Sequence, residues 1–250
     1  MVVLIKPFRY GRLPEFNMNY SNIRSFIHKE GYIFVGCTLG IALICLLFST
    51  LLFWIFFILT LCFFFFFRNP CRVVPSDKNL IVSPACGTIC SIISDVPPEE
   101  LGLGSEQRYR VSVFLSIVDV HVNRSPANGK VKKILYSPGK YINAGIEKSS
   151  LFNERNTIIL EVNDDPSNLM SFSQIAGTLA RRIVCDVHEG EILSKGEVYG
   201  IIKFGSRSDI WLPVGSIPLV CVGQKVISGE TVLCDMSLSN ISLREGLVVP

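Results

Sequence analysis

The sequence predicts a mostly-β, α+β domain preceded by a transmembrane helical hairpin. Three observations carry that reading. Residues 31–67 form a run of 37 residues without one charged side chain, and 10 of the 17 Phe lie in it. Beyond residue 67 the chain breaks into short runs rich in Val, Ile and Phe, punctuated by Gly and Pro. Two stretches of that second part repeat one glycine pattern. The chain has 250 residues, is 49% hydrophobic and has a mean hydropathy of +0.42, high for a water-soluble enzyme.

Residues 1–30 form a basic arm, with five Lys or Arg against two Glu. The charge-free run follows. A single helix of that length would be about 55 Å long, whereas a bilayer core is about 30 Å thick. Two short helices, 31–48 and 51–67, turning near Ser49-Thr50, fit better. Arg24 and Lys29 lie before the run and Arg68 and Arg72 after it. Positive charge at both ends places both ends in the cytoplasm, as an even number of passes requires. The apolar run starts too late and is too long for a cleavable signal peptide.

Residues 68–250 hold 19 charges of each sign. That neutrality argues against a nucleic-acid partner, because phosphate binding draws on excess positive charge. Strand-like runs fall at 80–93, 109–122, 130–136, 157–162, 171–175, 182–187, 198–204, 219–222 and 231–234, with weak helical periodicity at 144–154. The segment Glu189-Gly-Glu-Ile-Leu-Ser-Lys-Gly-Glu-Val-Tyr-Gly aligns without gaps on Val222-Gly-Gln-Lys-Val-Ile-Ser-Gly-Glu-Thr-Val-Leu. Strand–Gly turn–strand units of this kind suit a lipoyl-like half-barrel sandwich, with Gly supplying the turn dihedrals. A lipoyl or biotin carrier also needs a Lys at the hairpin tip between its halves, and residues 205–213 contain none.

The nine Cys include no CxxC pair, and the three His are not spaced from them as metal ligands. Neither a metal site nor a disulfide framework is expected; most of these Cys read as small buried hydrophobes.

Three segments stand apart from routine strand and turn. In the first, Ser83-Pro-Ala-Cys-Gly-Thr-Ile, the residue types alone assign no chemistry. In the second, Asp119 and His121 sit two apart in an expected strand, on one face, where a carboxylate beside an imidazole suits acid–base work. In the third, Gly205-Ser206 ends an apolar strand. A Gly there leaves its carbonyl unshielded and the backbone free, as attack by the neighbouring hydroxyl would require. Gly-Ser is also an ordinary turn, so the dipeptide alone decides nothing.

Taken together, these segments resemble the short, bacterial-type phosphatidylserine decarboxylase proenzymes. The resemblance runs from about His28 to about Asp235. It passes through Phe67-Arg-Asn-Pro, Val82-Ser-Pro-Ala-(Cys)-Gly, Asp119-Val-His-Val-Asn-Arg-Ser-Pro-Ala-Asn-Gly-Lys, Asn153-Glu-Arg-Asn, Gln174-Ile-Ala-Gly, Ala180-Arg-Arg-Ile-Val and Tyr199-Gly-Ile-Ile-Lys-Phe-Gly-Ser-Arg-Ser-Asp-Ile.

The resemblance implies a chain that cuts itself. Ser206 Oγ attacks the Gly205 carbonyl, and the resulting ester eliminates to leave dehydroalanine. Hydrolysis then releases ammonia and leaves a pyruvoyl group at residue 206. The products are a beta chain, 1–205, and an alpha chain, 206–250, held together as a heterodimer or a higher oligomer of it. The pyruvoyl ketone, the only cofactor implied, forms a Schiff base with phosphatidylserine and takes up the electrons freed as CO2 leaves. The product is phosphatidylethanolamine, and the enzyme works on the cytoplasmic side of the bacterial cell membrane. His121 is implied as the acid–base group. Longer family members carry a second His where this chain has Arg124, which could instead hold the lipid phosphate or carboxylate, as could Arg207 and Lys140.

One departure concerns maturation. The family's Ser-Pro-Ala-Asp-Gly reads Ser83-Pro-Ala-Cys86-Gly here. That Asp is implied to complete a relay with the His and the cleavage-site Ser, and a thiol cannot stabilise an imidazolium as a carboxylate does. Asp119 is the nearest carboxylate in sequence that could stand in. Three rivals remain: an uncleaved, membrane-anchored binding or adaptor protein, a degenerate family member left uncleaved because of Cys86, and a Ser/His hydrolase. The hydrolase is disfavoured because no Gly-x-Ser-x-Gly elbow surrounds Ser206.

Overall fold

A computed structural model describes residues 26–139, 153–177, 182–203 and 206–238. The charge-free run folds into two helices, α1 (Gly31–Leu46) and α2 (Thr50–Phe66), reversing at residues 47–49, where Ser49 is extended. They pack as a hairpin, with Thr60 Oγ1 donating to Thr38 Oγ1 (3.0 Å) and Phe34 against both Phe63 and Phe67. The expectation of a transmembrane hairpin is corrected: no helix among the described residues is long and apolar enough to cross a membrane. The reversal consumes part of the run and divides the rest, leaving 16 and 17 residues per helix. These span about 24 and 26 Å, short of the roughly 30 Å core.

The base of the hairpin is clasped to the β domain. His28 N–H donates to Phe67 O (2.8 Å) and Asn69 N–H to Phe26 O (2.7 Å). Ion pairs Glu30–Lys203 (2.7 Å) and Lys29–Asp186 (2.8 Å) reach across to the domain.

Among the described residues thirteen strands follow in chain order: β1 (Leu80–Val82), β2 (Gly87–Asp95), β3 (Arg108–Leu115), β4 (Val122–Arg124), β5 (Gly129–Ser137), β6 (Arg155–Val162), β7 (Leu169–Ala176), β8 (Arg182–Cys185), β9 (Ile192–Leu193), β10 (Val198–Lys203), β11 (Ser206–Trp211), β12 (Lys225–Val226) and β13 (Val232–Asp235). They form one curled eight-stranded sheet, β12-β2-β3-β11-β7-β6-β5-β9, a three-stranded sheet, β4-β10-β8, and the pair β1-β13. All pairings are antiparallel.

The large sheet is palindromic: β12, β2, β3 and β11 are matched by β9, β5, β6 and β7. The β2–β3 pair carries a register shift between Ile89 and Ser91, and the β5–β6 pair carries one between Val131 and Lys133. The glycine echo lies at the outer edges of these halves, where Gly190, Gly196, Gly223 and Gly229 have φ of 85°, 80°, 89° and 80°. Gly223 N–H donates to Ile89 O (2.8 Å) as Gly190 N–H donates to Val131 O (2.7 Å). A second echo completes the match. Ser83-Pro-Ala-Cys-Gly and Ser125-Pro-Ala-Asn-Gly interlock, Val82 N–H donating to Pro126 O and Arg124 N–H to Pro84 O, both at 2.9 Å.

Three expectations change. The 109–122 run is not one strand: β3 ends at Leu115, and residues 116–121 turn before β4. Asp119 N–H donates to Ser116 O (2.9 Å) while the Asp119 carboxylate accepts the Ser116 amide (2.9 Å), which closes that turn. The polar stretch from Ser206 is a strand at the centre of the sheet. The strand expected at 219–222 lies instead at Lys225–Val226. The helical tendency at 144–154 falls largely outside the described residues.

The main core lies between the sheets and includes Ile81, Ile89, Val113, Ile158, Phe172 and Tyr199. A second cluster joins Phe66 and Phe67 of the hairpin end to Cys86, Val122 and Ile201.

Candidate active site

β11 is an unusual central strand, since four of its six residues, Ser206, Arg207, Ser208 and Asp209, are polar and all six are buried. Alternation puts Ser206, Ser208 and Ile210 on one face and Arg207, Asp209 and Trp211 on the other. Ile210 is part of the main core, so the Ser206 side faces inward. Arg207 donates through Nε and Nη2 to the Asp209 carboxylate (2.6 and 3.2 Å) and through Nη2 to Ser112 Oγ (2.8 Å). A buried guanidinium requires such partners, and Arg207 is therefore engaged within the sheet.

Ser206 opens the strand, its backbone placed between Leu115 of β3 and Ala176 of β7. The Ala176 carbonyl is held by Asn153 Nδ2 (2.7 Å). Ser206 Oγ is buried and has no hydrogen-bond partner among the described residues. Gly205, on the other side of the expected scissile bond, lies outside the described residues, as does Lys140.

His121 sits in the 116–121 turn, fully buried, its ring against Phe66 at 4.3 Å between centroids. Its Nδ1 lies 2.9 Å from the Asp119 carbonyl oxygen. A carbonyl only accepts, so Nδ1 carries the proton and Nε2 the lone pair. Nε2 is buried and, like Ser206 Oγ, lacks a partner among the described residues. Burial pushes the imidazole down to about 4, against the pull of the Asp119 carbonyl and carboxylate. His121 is therefore neutral at pH 7. Its own carbonyl accepts the Ile202 amide (3.3 Å), and Ile202 packs on Ala176, the residue opposite Ser206. The turn and the strand leading to the expected cleavage site thus meet at one corner.

Asp119 contributes its main chain to the imidazole. Its carboxylate accepts from Ser116 N–H and lies 4.0 Å from Lys225 Nζ. Cys86 Sγ accepts the Ser228 amide (3.2 Å) and an Arg72 Nη2 hydrogen (3.5 Å), and lies 3.3 Å from Ser228 Oγ. In the other half Asn128 Oδ1 accepts the Lys195 amide (2.8 Å) in the same way. Position 86 is thus a turn acceptor with a guanidinium beside it. Arg124 donates to Gly196 O (2.9 Å), Asn69 Oδ1 (2.6 Å) and Pro70 O (3.1 Å), tying the chain leaving the hairpin to the domain.

Sequence reasoning missed Phe66, Arg72 and Ser228, whose roles depend on contacts between remote segments. It also passed over the Ser-Pro-Ala-x-Gly repeat, which was legible in the residues themselves. No group of His, Cys, Asp or Glu among the described residues could hold a metal ion.

The family model for phosphatidylserine decarboxylase matches residues 59–234. A phosphatidylserine decarboxylase proenzyme from Rickettsia akari is 46% identical over 223 residues, covering 89% of this chain and 96% of its own. Proenzymes of the same name from Rickettsia felis and Cereibacter sphaeroides are each 47% identical, covering 86% and 84% of this chain and 93% and 90% of their own.

Proposed function

The chain belongs to the phosphatidylserine decarboxylase family, and we propose that it cuts itself at Gly205-Ser206 and then converts phosphatidylserine to phosphatidylethanolamine. The observation that carries this reading is a neutral imidazole and a buried Ser206 hydroxyl at the same corner, with neither Nε2 nor Oγ partnered among the described residues.

His121 Nε2 takes the Ser206 hydroxyl proton as Oγ bonds to the Gly205 carbonyl carbon. The Gly205–Ser206 C–N bond breaks, the proton passes to the freed amine, and an ester remains. Loss of the Ser206 Cα proton then expels the Gly205 carboxylate. One water hydrolyses the resulting enamine through its imine, ammonia leaves, and residue 206 ends as a ketone. No oxidant is required.

The residues present fit that group: position 206 is a buried strand end at the corner that also holds the neutral His121 imidazole. When formed, the ketone supplies the electron sink for decarboxylating an amine-bearing substrate. His121 Nε2 relays to the substrate carbon a proton that it first takes up from water.

The two products are held as a heterodimer. The smaller one supplies β11 between β3 and β7, β12 on β2 and β13 on β1, so its release would dismantle all four pairings. The hairpin beds in the bilayer without crossing it, exposing Ile33, Leu43, Phe48, Leu51, Trp54 and Ile58 among others. Lys29, Arg68 and Arg72 at its base favour the cytoplasmic face of the bacterial cell membrane.

Intact mass under denaturing conditions tests this reading. The expected result is two fragments divided after Gly205, the smaller carrying a ketone in place of its amine, and an uncut chain for Ser206→Ala. A single wild-type chain of 27.8 kDa would overturn self-cleavage.

A further inference from the structure

We propose that Ile117 and Val118, at the tip of the turn between β3 and β4, form a second bilayer contact that couples lipid docking to the catalytic histidine. This rests on the decarboxylase reading for its functional half; the contact itself does not.

Ile117 is 55% and Val118 65% exposed. A buried-core strand pattern would turn such residues inward, and a polar loop would not carry them at its tip. The tip adjoins the end of α2: Arg68 Nη2 donates to Val118 O (2.6 Å) and Nη1 to Phe65 O (2.8 Å), with the guanidinium 3.8 Å above the Phe65 ring. Phe64 and Phe65 are themselves exposed. Apolar surface therefore continues from the hairpin onto the turn, and contiguous exposed apolar surface marks an interaction site.

The charges beside it indicate the occupant. Arg68, Lys225 (71% exposed) and Lys29 (63% exposed) stand at this end of the domain. Apolar tips with basic neighbours suit the headgroup–acyl boundary of a bilayer containing anionic lipid, where such side chains sink about 5–10 Å.

The turn that displays Ile117 and Val118 is the one that sets His121. Asp119 closes it through the Ser116 amide, and the Asp119 carbonyl fixes the imidazole proton on Nδ1. A lipid surface seated on the tip thus steadies the acid–base group where substrate arrives.

Two measurements on the full-length chain test the proposal. The first places Val118→Trp, in a Ser206→Ala background, in vesicles of phosphatidylcholine and phosphatidylserine with or without brominated acyl chains. Brominated chains should remove the emission added by the new Trp, over the Trp54 and Trp211 baseline; an unquenched signal overturns the contact. The second compares wild type with the double variant Ile117→Ser, Val118→Ser. Turnover of phosphatidylserine in vesicles should fall about tenfold, with self-cleavage and turnover of a monomeric short-chain phosphatidylserine unchanged. Equal losses on both substrates, or none on vesicles, overturn the coupling. If wild type turns over neither substrate while the new Trp is quenched, the decarboxylase reading fails and the contact stands.

Discussion

The two halves of the large sheet are built from the same parts and differ at one corner. In one half β6 passes directly to β7 through residues 163–168, where Val162 N–H donates to Asn168 O (2.9 Å) and Asn163 and Asp164 take positive φ. In the other half the matching strands, β3 and β11, pair but are not joined. β3 leaves into the turn that holds His121, and β11 begins at Ser206. The closed corner is an ordinary hairpin. The open corner holds the Ser206 hydroxyl and the His121 Nε2 lone pair, both buried and without hydrogen-bond partners among the described residues. Opening one hairpin of a paired architecture is thus enough to place the proposed cleavage site at the buried start of a strand whose other neighbour belongs to the second half.

The most severe way to break this comparison is to remove the nucleophile. Ser206→Ala should leave the chain uncut, whereas Ser208→Ala, two residues along the same face, should still be cleaved; gel mobility and intact mass read both. Next, His121→Ala should slow cleavage by about 10²–10⁴-fold, measured as the half-life of uncut chain, with partial rescue by added imidazole. The pH dependence follows from a lowered pKa. His121 titrates near 4 in the folded state against 6.5, so the unfolded chain binds more protons between these values. Its contribution to stability, about 3 kcal/mol, is complete above pH 6.5 and is lost as pH falls through 4. Denaturant titrations at several pH values should show that loss in wild type and not in His121→Ala.

The paired turn acceptors sharpen the comparison further. Cys86→Asp places a carboxylate where Arg72 and Ser228 already donate, and should raise the cleavage rate by about three- to tenfold through charge-assisted bonds. Asn128→Asp, its counterpart, should leave that rate unchanged. An unchanged rate for Cys86→Asp would show that position 86 acts only as a turn acceptor. The smallest effect is on stability. Gly229→Ala should cost about 1–2 kcal/mol for its left-handed backbone. Gly196→Ala should cost more, because its Cβ would fall 2.4 Å from Val74 Cγ2. Urea midpoints measure the difference.

Much of this was legible in order along the chain. The helices fell within the uncharged run because no charged side chain interrupts it, and the glycine echo located matching turns because positive φ restricts residue choice. The 116–121 turn was not legible. Its apolar residues read as a continuing strand, whereas in the fold the Asp119–Ser116 bonds close a turn that exposes Ile117 and Val118 and buries Val120. β11 was missed for the opposite reason: Ser-Arg-Ser-Asp looks like a loop, and becomes a buried strand because Arg207 and Asp209 neutralise one another beside Ser112.

By itself the sequence determined the apolar hairpin, the β character of the rest and the residues that mark the family, since composition, periodicity and motif are local properties. Only the tertiary structure decided that the hairpin is too short to cross a membrane, that Arg124 and Arg207 bind protein oxygens, and that the imidazole is oriented by a backbone carbonyl. Each of those depends on which distant group a side chain meets after folding. A linear pattern specifies the donor; the partner is set by the fold.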